Sequence, residues 1–180
     1  MKLIYFDAGN PQKKKELENR IAFALQAGKY EDAKKISEKY EDFLGEGHYF
    51  IPGAKELLED LSKKYHLYLA SNGAVKVQMS RIQSAGIEKY LEKIFLSEQI
   101  GYEKPSPQFF EKCFAQIPDF KKEEALILGD SLTSDIRGGK NAGILTVWFH
   151  PSGKKVEEEI VPDYEIGKLE ELKTILSFYS

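Results

Sequence analysis

The chain has 180 residues, 42% hydrophobic and 31% charged, with a formal net charge of −3 and one cysteine. That length gives one domain with a sizeable core, or a core carrying a small insert, and the composition is that of a soluble globular protein. The charge gives no reason for nucleic acid or an anionic membrane as partner, no apolar stretch is long enough to span a bilayer, and the lone Cys113 rules out an internal disulfide and suits a reducing cytoplasm.

Charged residues follow the first apolar run at once, so no signal peptide is expected. That run, Lys2–Asp7, reads as a strand ending in a carboxylate, followed by Ala8-Gly9-Asn10. A carboxylate placed beside a glycine turn can act as a nucleophile toward phosphorus. The plainer reading is an Asp that closes the strand and caps a turn. Residues 10–44 carry no strand signal. Leu17, Ile21, Ala24 and Leu25 form one apolar stripe at helical spacing, and Ala33, Ile36, Tyr40, Phe43 and Leu44 a second. Ala27-Gly28-Lys29 breaks between them, which predicts a helical hairpin with charged outer faces, Lys13, Lys14 and Lys15 being solvated. Phe23, Leu25, Tyr40 and Phe43 are assigned to the hairpin's own core; exposed, they would instead serve self-association or partner binding.

A helix over Gly53–Lys64 leads to a strand over His66–Ser71, which runs into Ser71-Asn72-Gly73. A hydroxyl, an amide and a glycine ahead of a helix make an anion cradle, or an ordinary cap. The next helix, Val75–Ala85, stops at Gly86. After a strand over Lys93–Ser97 comes Gly101-Tyr102-Glu103-Lys104-Pro105-Ser106-Pro107. Here Lys104 precedes two prolines that fix its loop ahead of a helix over Pro107–Gln116. A held ammonium can balance phosphate and carboxylate charge, although solvent exposure is the default for a lysine. Cys113 in that helix reads as a small buried hydrophobe. The strand Ala125–Asp130 is an apolar run halted by Gly129-Asp130, and Asp135 follows in a helix over Thr133–Asn141 that Gly143 ends. Two hard carboxylates at the carboxyl end of a parallel strand suit Mg²⁺; a strand end plus an N-cap is the plainer alternative. A strand over Ile144–Phe149, with Trp148 in the core or at a sheet edge, and a helix over Leu169–Phe178 complete the chain. His48, His66 and His150 are too far apart in sequence to suggest a local metal cluster and read as structural or surface residues.

Alternating β and α segments imply an α/β fold with a mostly parallel sheet of about five strands, covered on both faces. No glycine-rich dinucleotide fingerprint follows the first strand, which excludes an oxidoreductase of that type.

Asp7, Ser71, Lys104 and the pair Asp130 and Asp135, in this order and context, resemble the haloacid dehalogenase-like (HAD) superfamily of phosphohydrolases. From about Gly47 to Ile175 the chain is similar to the pyrimidine 5′-nucleotidase-like branch, through Glu46-Gly47-His48, Ser71-Asn72-Gly73, Gly101-Tyr102-Glu103-Lys104-Pro105, Gly129 through Gly138-Gly139, and Pro162-Asp163-Tyr164-Glu165-Ile166. The resemblance implies a Rossmann-like three-layer sandwich in which the first and fourth strands are neighbours. It implies a core of residues 1–9 and 46–180 and a small helical-hairpin cap of residues 10–45. It further implies a Mg²⁺-dependent hydrolase of small phosphate monoesters, a nucleoside monophosphate among them, as a cytoplasmic monomer or homodimer. Asp7 would be the nucleophile. The metal would be held by Asp7, the Gly9 carbonyl, Asp130 and Asp135. Ser71 and the Asn72 backbone would hold phosphate oxygens, and Lys104 would neutralise their charge.

Two departures fall in one segment. The family's phosphatases carry a second aspartate two residues after the nucleophile, which protonates the leaving group and activates water. Here that position is Gly9, with Asn10-Pro11 behind it in place of the usual threonine. Losing general acid–base catalysis costs on the order of 10²–10⁴ in rate, so impaired turnover is expected. The cap is also smaller than in relatives of this branch, which leaves a more open site. The competing reading is a catalytically inactive or engineered HAD-like protein whose hairpin serves binding or self-association.

Overall fold

A computed structural model describes residues 2–5 as backbone, and residues 22–23, 25–32, 35–36, 50–153 and 159–179 in full. The chain divides into two compact units, one of Met1–Phe6, Phe50–Gly73 and Ile87–Ser180, the other of Asp7–Tyr49 and Ala74–Gly86. The elements are β1 (Lys2–Tyr5), α1 (Ala54–Ser62), β2 (His66–Ser71), α2 (Val75–Ala85), β3 (Lys93–Leu96), α3 (Ser97–Ile100), α4 (Pro107–Phe114), β4 (Ala125–Gly129), α5 (Arg137–Ala142), β5 (Leu145–Phe149), β6 (Tyr164–Ile166) and α6 (Leu172–Ser177).

The first unit is built on a six-stranded, wholly parallel sheet in the order β3-β2-β1-β4-β5-β6. β1 lies between β2 and β4, with Leu3 in register with Leu67 on one side and Leu126 on the other. The first and fourth strands are therefore neighbours, as the resemblance implies. Every residue of β4 is buried, because helices cover both faces of a parallel sheet and leave its central strands no wet side. One sixth strand, β6, was outside the five expected. Its three residues run half-buried, exposed and buried at the sheet edge, too short a pattern to separate from loop.

Phe109, Phe110 and Cys113 of α4 share a core cluster with Tyr68, Phe95, Ile127, Ala142 and Ile144. Burial pushes the Cys113 thiol up to about 12, so it packs as a small hydrophobe, in keeping with its sequence context. α5 approaches the sheet through Gly139, where a Cβ would meet Ile127 Cγ2 at 2.5 Å and Thr146 Cγ2 at 2.7 Å. The last helix is split into a 3₁₀ turn over Leu169–Glu171 and α6, with Leu172, Ile175 and Leu176 buried. No helix among the described residues is long and apolar enough to cross a membrane.

Asp163 fastens the amino end of β5 to the approach to β6. Its Oδ2 accepts from the Thr146 amide (2.9 Å) and hydroxyl (2.7 Å), its Oδ1 from Lys140 Nζ (2.5 Å), and its amide donates to Thr146 Oγ1 (3.0 Å). Burial pushes the carboxyl up, but the hydrogen bonds from Lys140 and Thr146 together outweigh it and hold Asp163 below the ordinary range. A depressed native pKa stabilises above the unfolded value of about 3.9 and loses that contribution as pH falls through the native one. Asp163→Ala is therefore expected to cost about 1–2 kcal/mol at pH 7, allowing for a partly exposed site. Urea unfolding should show the deficit shrinking below about pH 4.

The described part of the second unit includes the centre of the predicted hairpin. Helical backbone at 22–23 and 25–26 ends in a turn at Ala27-Gly28 and resumes at 30–32 and 35–36. The Gly28 amide donates to Leu25 O (3.0 Å), and Gly28 takes a φ of +71°, a conformation that glycine adopts without a Cβ penalty. The break falls where the sequence places it. The core assignment of Phe23 and Leu25 is overturned: they are 72% and 46% exposed, in the last turn before the break. Tyr40 and Phe43 lie outside the described residues. α2 has the predicted bounds and ends at Gly86, whose amide donates to Gln83 and Ile82 carbonyls.

Candidate active site at the carboxyl end of the sheet

Within the first unit, the ends of β2 and β4, the loop before α4 and the turn before α5 carry five of the predicted site residues. β2 delivers Ser71, whose hydroxyl oxygen accepts from the Gly73 amide at 3.1 Å. This is a local turn bond and not the helix cap of the plainer reading, since Ala74 stands at the N-cap of α2 with no side-chain cap; the hydroxyl hydrogen has no acceptor among the described residues. The Asn72 side chain does something the sequence did not suggest. Its Oδ1 accepts from the Lys104 amide and its Nδ2 donates to the Lys104 carbonyl, both at 2.9 Å. This two-point clasp ties the Lys104 loop to the end of β2. Pro107, in the first turn of α4, continues the loop into the helix, and the Lys104–Pro105 peptide is cis.

Lys104 is no solvated lysine; it is 4% exposed. Its Nζ donates to the Ala70 carbonyl (2.8 Å) and to Asp135 Oδ1 (2.9 Å). Burial pushes the ammonium below the ordinary lysine range, and the adjacent Asp135 carboxylate opposes that. Burial likewise raises Asp135, with Lys104 the chief opposing influence. The paired, hydrogen-bonded state is what makes two such charges tolerable at this depth.

Asp135 reaches Lys104 because the predicted helix over Thr133–Asn141 is two pieces. A π turn over Leu132–Ile136 precedes α5, and the amides of Asp135 and Ile136 both donate to the Ser131 carbonyl. Widened turns of this kind recur at functional sites. Ser131, rather than an aspartate, caps it: its hydroxyl accepts from the Ser134 amide at 3.2 Å. The turn lays Asp135 against Gly129, where any Cβ would fall 2.4 Å from both the Cβ and Oδ2 of Asp135. Glycine at the end of β4 is thus a condition for the buried pair. Asp135 Oδ2 also accepts from the Ser131 amide at 3.2 Å.

Asp130, the next residue along, is exposed. Its carboxylate accepts no hydrogen bond from the described residues, whereas its backbone carbonyl accepts from the Trp148 indole at 3.0 Å. A hard carboxylate left open by the described residues, beside a second, buried one, is a donor set that fits Mg²⁺. Among the described residues no group of three or more His, Cys, Asp or Glu could hold a metal ion. Asp7 and Gly9, the other two expected ligands, lie outside the described residues, as does His48. His66 pairs with Glu92, and His150 with Glu165 and Ser152.

A profile of the haloacid dehalogenase-like hydrolases matches residues 8–149. The chain is 40% identical over 173 residues to YfnB of Bacillus subtilis (strain 168), a protein named as a HAD-hydrolase, covering 96% of this chain and 74% of that one. It is 37% identical over 146 residues to the pyrimidine 5′-nucleotidase PynA of Streptococcus pneumoniae, covering 81% of this chain but only 62% of the relative. A crystal structure of YfnB bound to magnesium superposes with a TM-score of 0.78 at 36% identity, over 95% of this chain and 85% of that one. The chain belongs to the haloacid dehalogenase-like hydrolases, and its similarity runs to their nucleotidase-like phosphohydrolases.

Proposed function

We propose that this chain is a Mg²⁺-dependent phosphoric monoester hydrolase that works through an aspartyl phosphate on Asp7, with turnover held down by Gly9. The observation that carries the reading is the buried Lys104 ammonium, fixed between Ala70 and Asp135 and within electrostatic reach of the exposed Asp130 carboxylate. Such a site concentrates positive charge and oxygen donors where a phosphoryl group would bind. Small phosphorylated molecules are the substrate class, and a nucleoside monophosphate is the first candidate, given the similarity to a protein named as a pyrimidine 5′-nucleotidase. The single cysteine favours a reducing cytoplasm as the compartment.

In this reading the Asp7 carboxylate attacks phosphorus, the bond to the leaving oxygen breaks, and its electron pair leaves with that oxygen. The Ser71 hydroxyl and the Asn72 backbone hold phosphate oxygens. Lys104 offsets their charge, and Asn72 and Asp135 hold Lys104. Asp7, the Gly9 carbonyl, Asp130 and Asp135 would hold Mg²⁺, which when bound neutralises charge on the phosphoryl oxygens. Water then splits the aspartyl phosphate and returns Asp7. Gly9 offers no proton to the leaving oxygen and no base to the water. Residues 10–45 act as the cap over a core of 1–9 and 46–180.

Phosphate release from a nucleoside monophosphate and an aryl phosphate tests this. Release is expected to need Mg²⁺ and to vanish in Asp7→Asn; equal release by that variant would overturn the reading. One observation favours a second reading, the hairpin as a binding element: Phe23 and Tyr30 are 72% and 71% exposed. Silence on every phosphate ester, with concentration-dependent self-association in sedimentation, would bring that reading forward.

A further inference from the structure

We infer that Trp148 is a positioning residue for the metal side of the site, its indole setting where Asp130 presents its carboxylate. The inference rests on the proposed role of Asp130. In the β4–β5 ladder Trp148 is the register partner of Gly129, the last residue of β4. Backbone pairing ends there. The Trp148 side chain continues it by one step, donating from Nε1 to the carbonyl of Asp130 at 3.0 Å. That matters because the Asp130 carboxylate is exposed and accepts no hydrogen bond from the described residues, so among them the backbone is what fixes the point from which the side chain departs.

The ring itself is held from two sides. Trp148 is 9% exposed and clusters with Leu132 and Ile136 of the π turn that carries Asp135. His150 stacks on the indole with ring centroids 4.0 Å apart and planes 18° from parallel. His150 is in turn fixed at both nitrogens, by Glu165 at 3.0 Å and by the Ser152 hydroxyl at 2.7 Å. One side chain therefore grips the Asp130 backbone and packs on the turn bearing Asp135. Residues that orient metal ligands through a second layer typically change affinity by about 10–100-fold when replaced. A buried indole that had merely found an acceptor would leave metal binding untouched.

Trp148 is the only tryptophan, so its emission reports on this position alone. Titrating the full chain with Mg²⁺ should give a saturable change in that emission, and Asp130→Asn should remove it. Trp148→Phe keeps a ring and loses the donor. Calorimetric titration with Mg²⁺ should show about 10-fold or more weaker binding by this variant, while its circular dichroism and thermal midpoint without metal show it folded. Equal Mg²⁺ affinity in the folded Trp148→Phe variant would overturn the positioning role and leave the proposed function standing. Absence of Mg²⁺ binding by the parent chain would overturn both. If Trp148→Phe does not fold, Trp148→Tyr, which keeps a polar tip with a different reach, decides the question by the same titration.

Discussion

Gly9→Asp is expected to raise kcat on a nucleoside monophosphate by about 10²–10⁴, the range that general acid–base catalysis usually contributes. An alkoxide is a poor leaving group and needs a proton as its bond to phosphorus breaks. An aryl oxide leaves readily without one, so the gain in forming the phosphoenzyme should be small for aryl phosphate. The gain in splitting it should be the same for both, because the same carboxylate would then activate water. The added charge would join Asp7 and Asp130 on a site where Lys104 is the described counter-charge. Steady-state kinetics on both substrates separate the effects. A variant no faster than its parent on either would show that the missing group is not what limits this chain.

Lys104→Met is the second large effect. It removes the ammonium but keeps an unbranched stem, leaving Asp135 at 1% exposure without its partner. Breaking a buried pair on one side costs about 3–5 kcal/mol. The sign with pH follows from Asp135, which burial already raises and Lys104 opposes. Without Lys104 its native pKa rises further above the unfolded value. The native state then binds its proton first, so the deficit is full above the native pKa and shrinks as pH falls toward the unfolded one. Urea unfolding at pH 7 and pH 5 should show this recovery. The double variant Lys104→Met/Asp135→Asn should regain stability at pH 7 because no unpaired charge remains, yet stay inactive. A single variant as stable as its parent at pH 7 would mean that the pair carries no such weight.

The five longer strands of the sheet were legible because each is a short apolar run set off from its flanks, whereas the three residues of β6 were not. The Gly129-Asp130 stop and the Lys104-Pro105 loop stood out for the same reason: a break in pattern at a strand end. What stayed hidden depends on distance through space. Nothing in Ser71-Asn72-Gly73 says that the Asn72 amide will clasp the backbone of Lys104, 32 residues later. Trp148 reads as core or sheet edge from its strand, and the reach of its indole to Asp130 follows only from strand register. The π turn was missed because one extra residue in a helical turn leaves the apolar spacing nearly unchanged. Leu25 was misplaced because helical periodicity marks a stripe without saying what covers it, and Phe23 lies off that stripe altogether.

A rapid-mixing experiment with an aryl phosphate and Mg²⁺ tests the central claim most directly. With Asp7 intact and Gly9 unable to activate water, phosphoenzyme should form faster than it is hydrolysed. The aryl oxide should then appear as a burst of about one equivalent followed by a slow steady rate, the mark of a covalent intermediate. Asp7→Asn should abolish the burst, and Gly9→Asp should speed the steady phase. Linear release with no burst, unchanged by Asp7→Asn, would contradict an aspartyl phosphate at Asp7 and the site built around it.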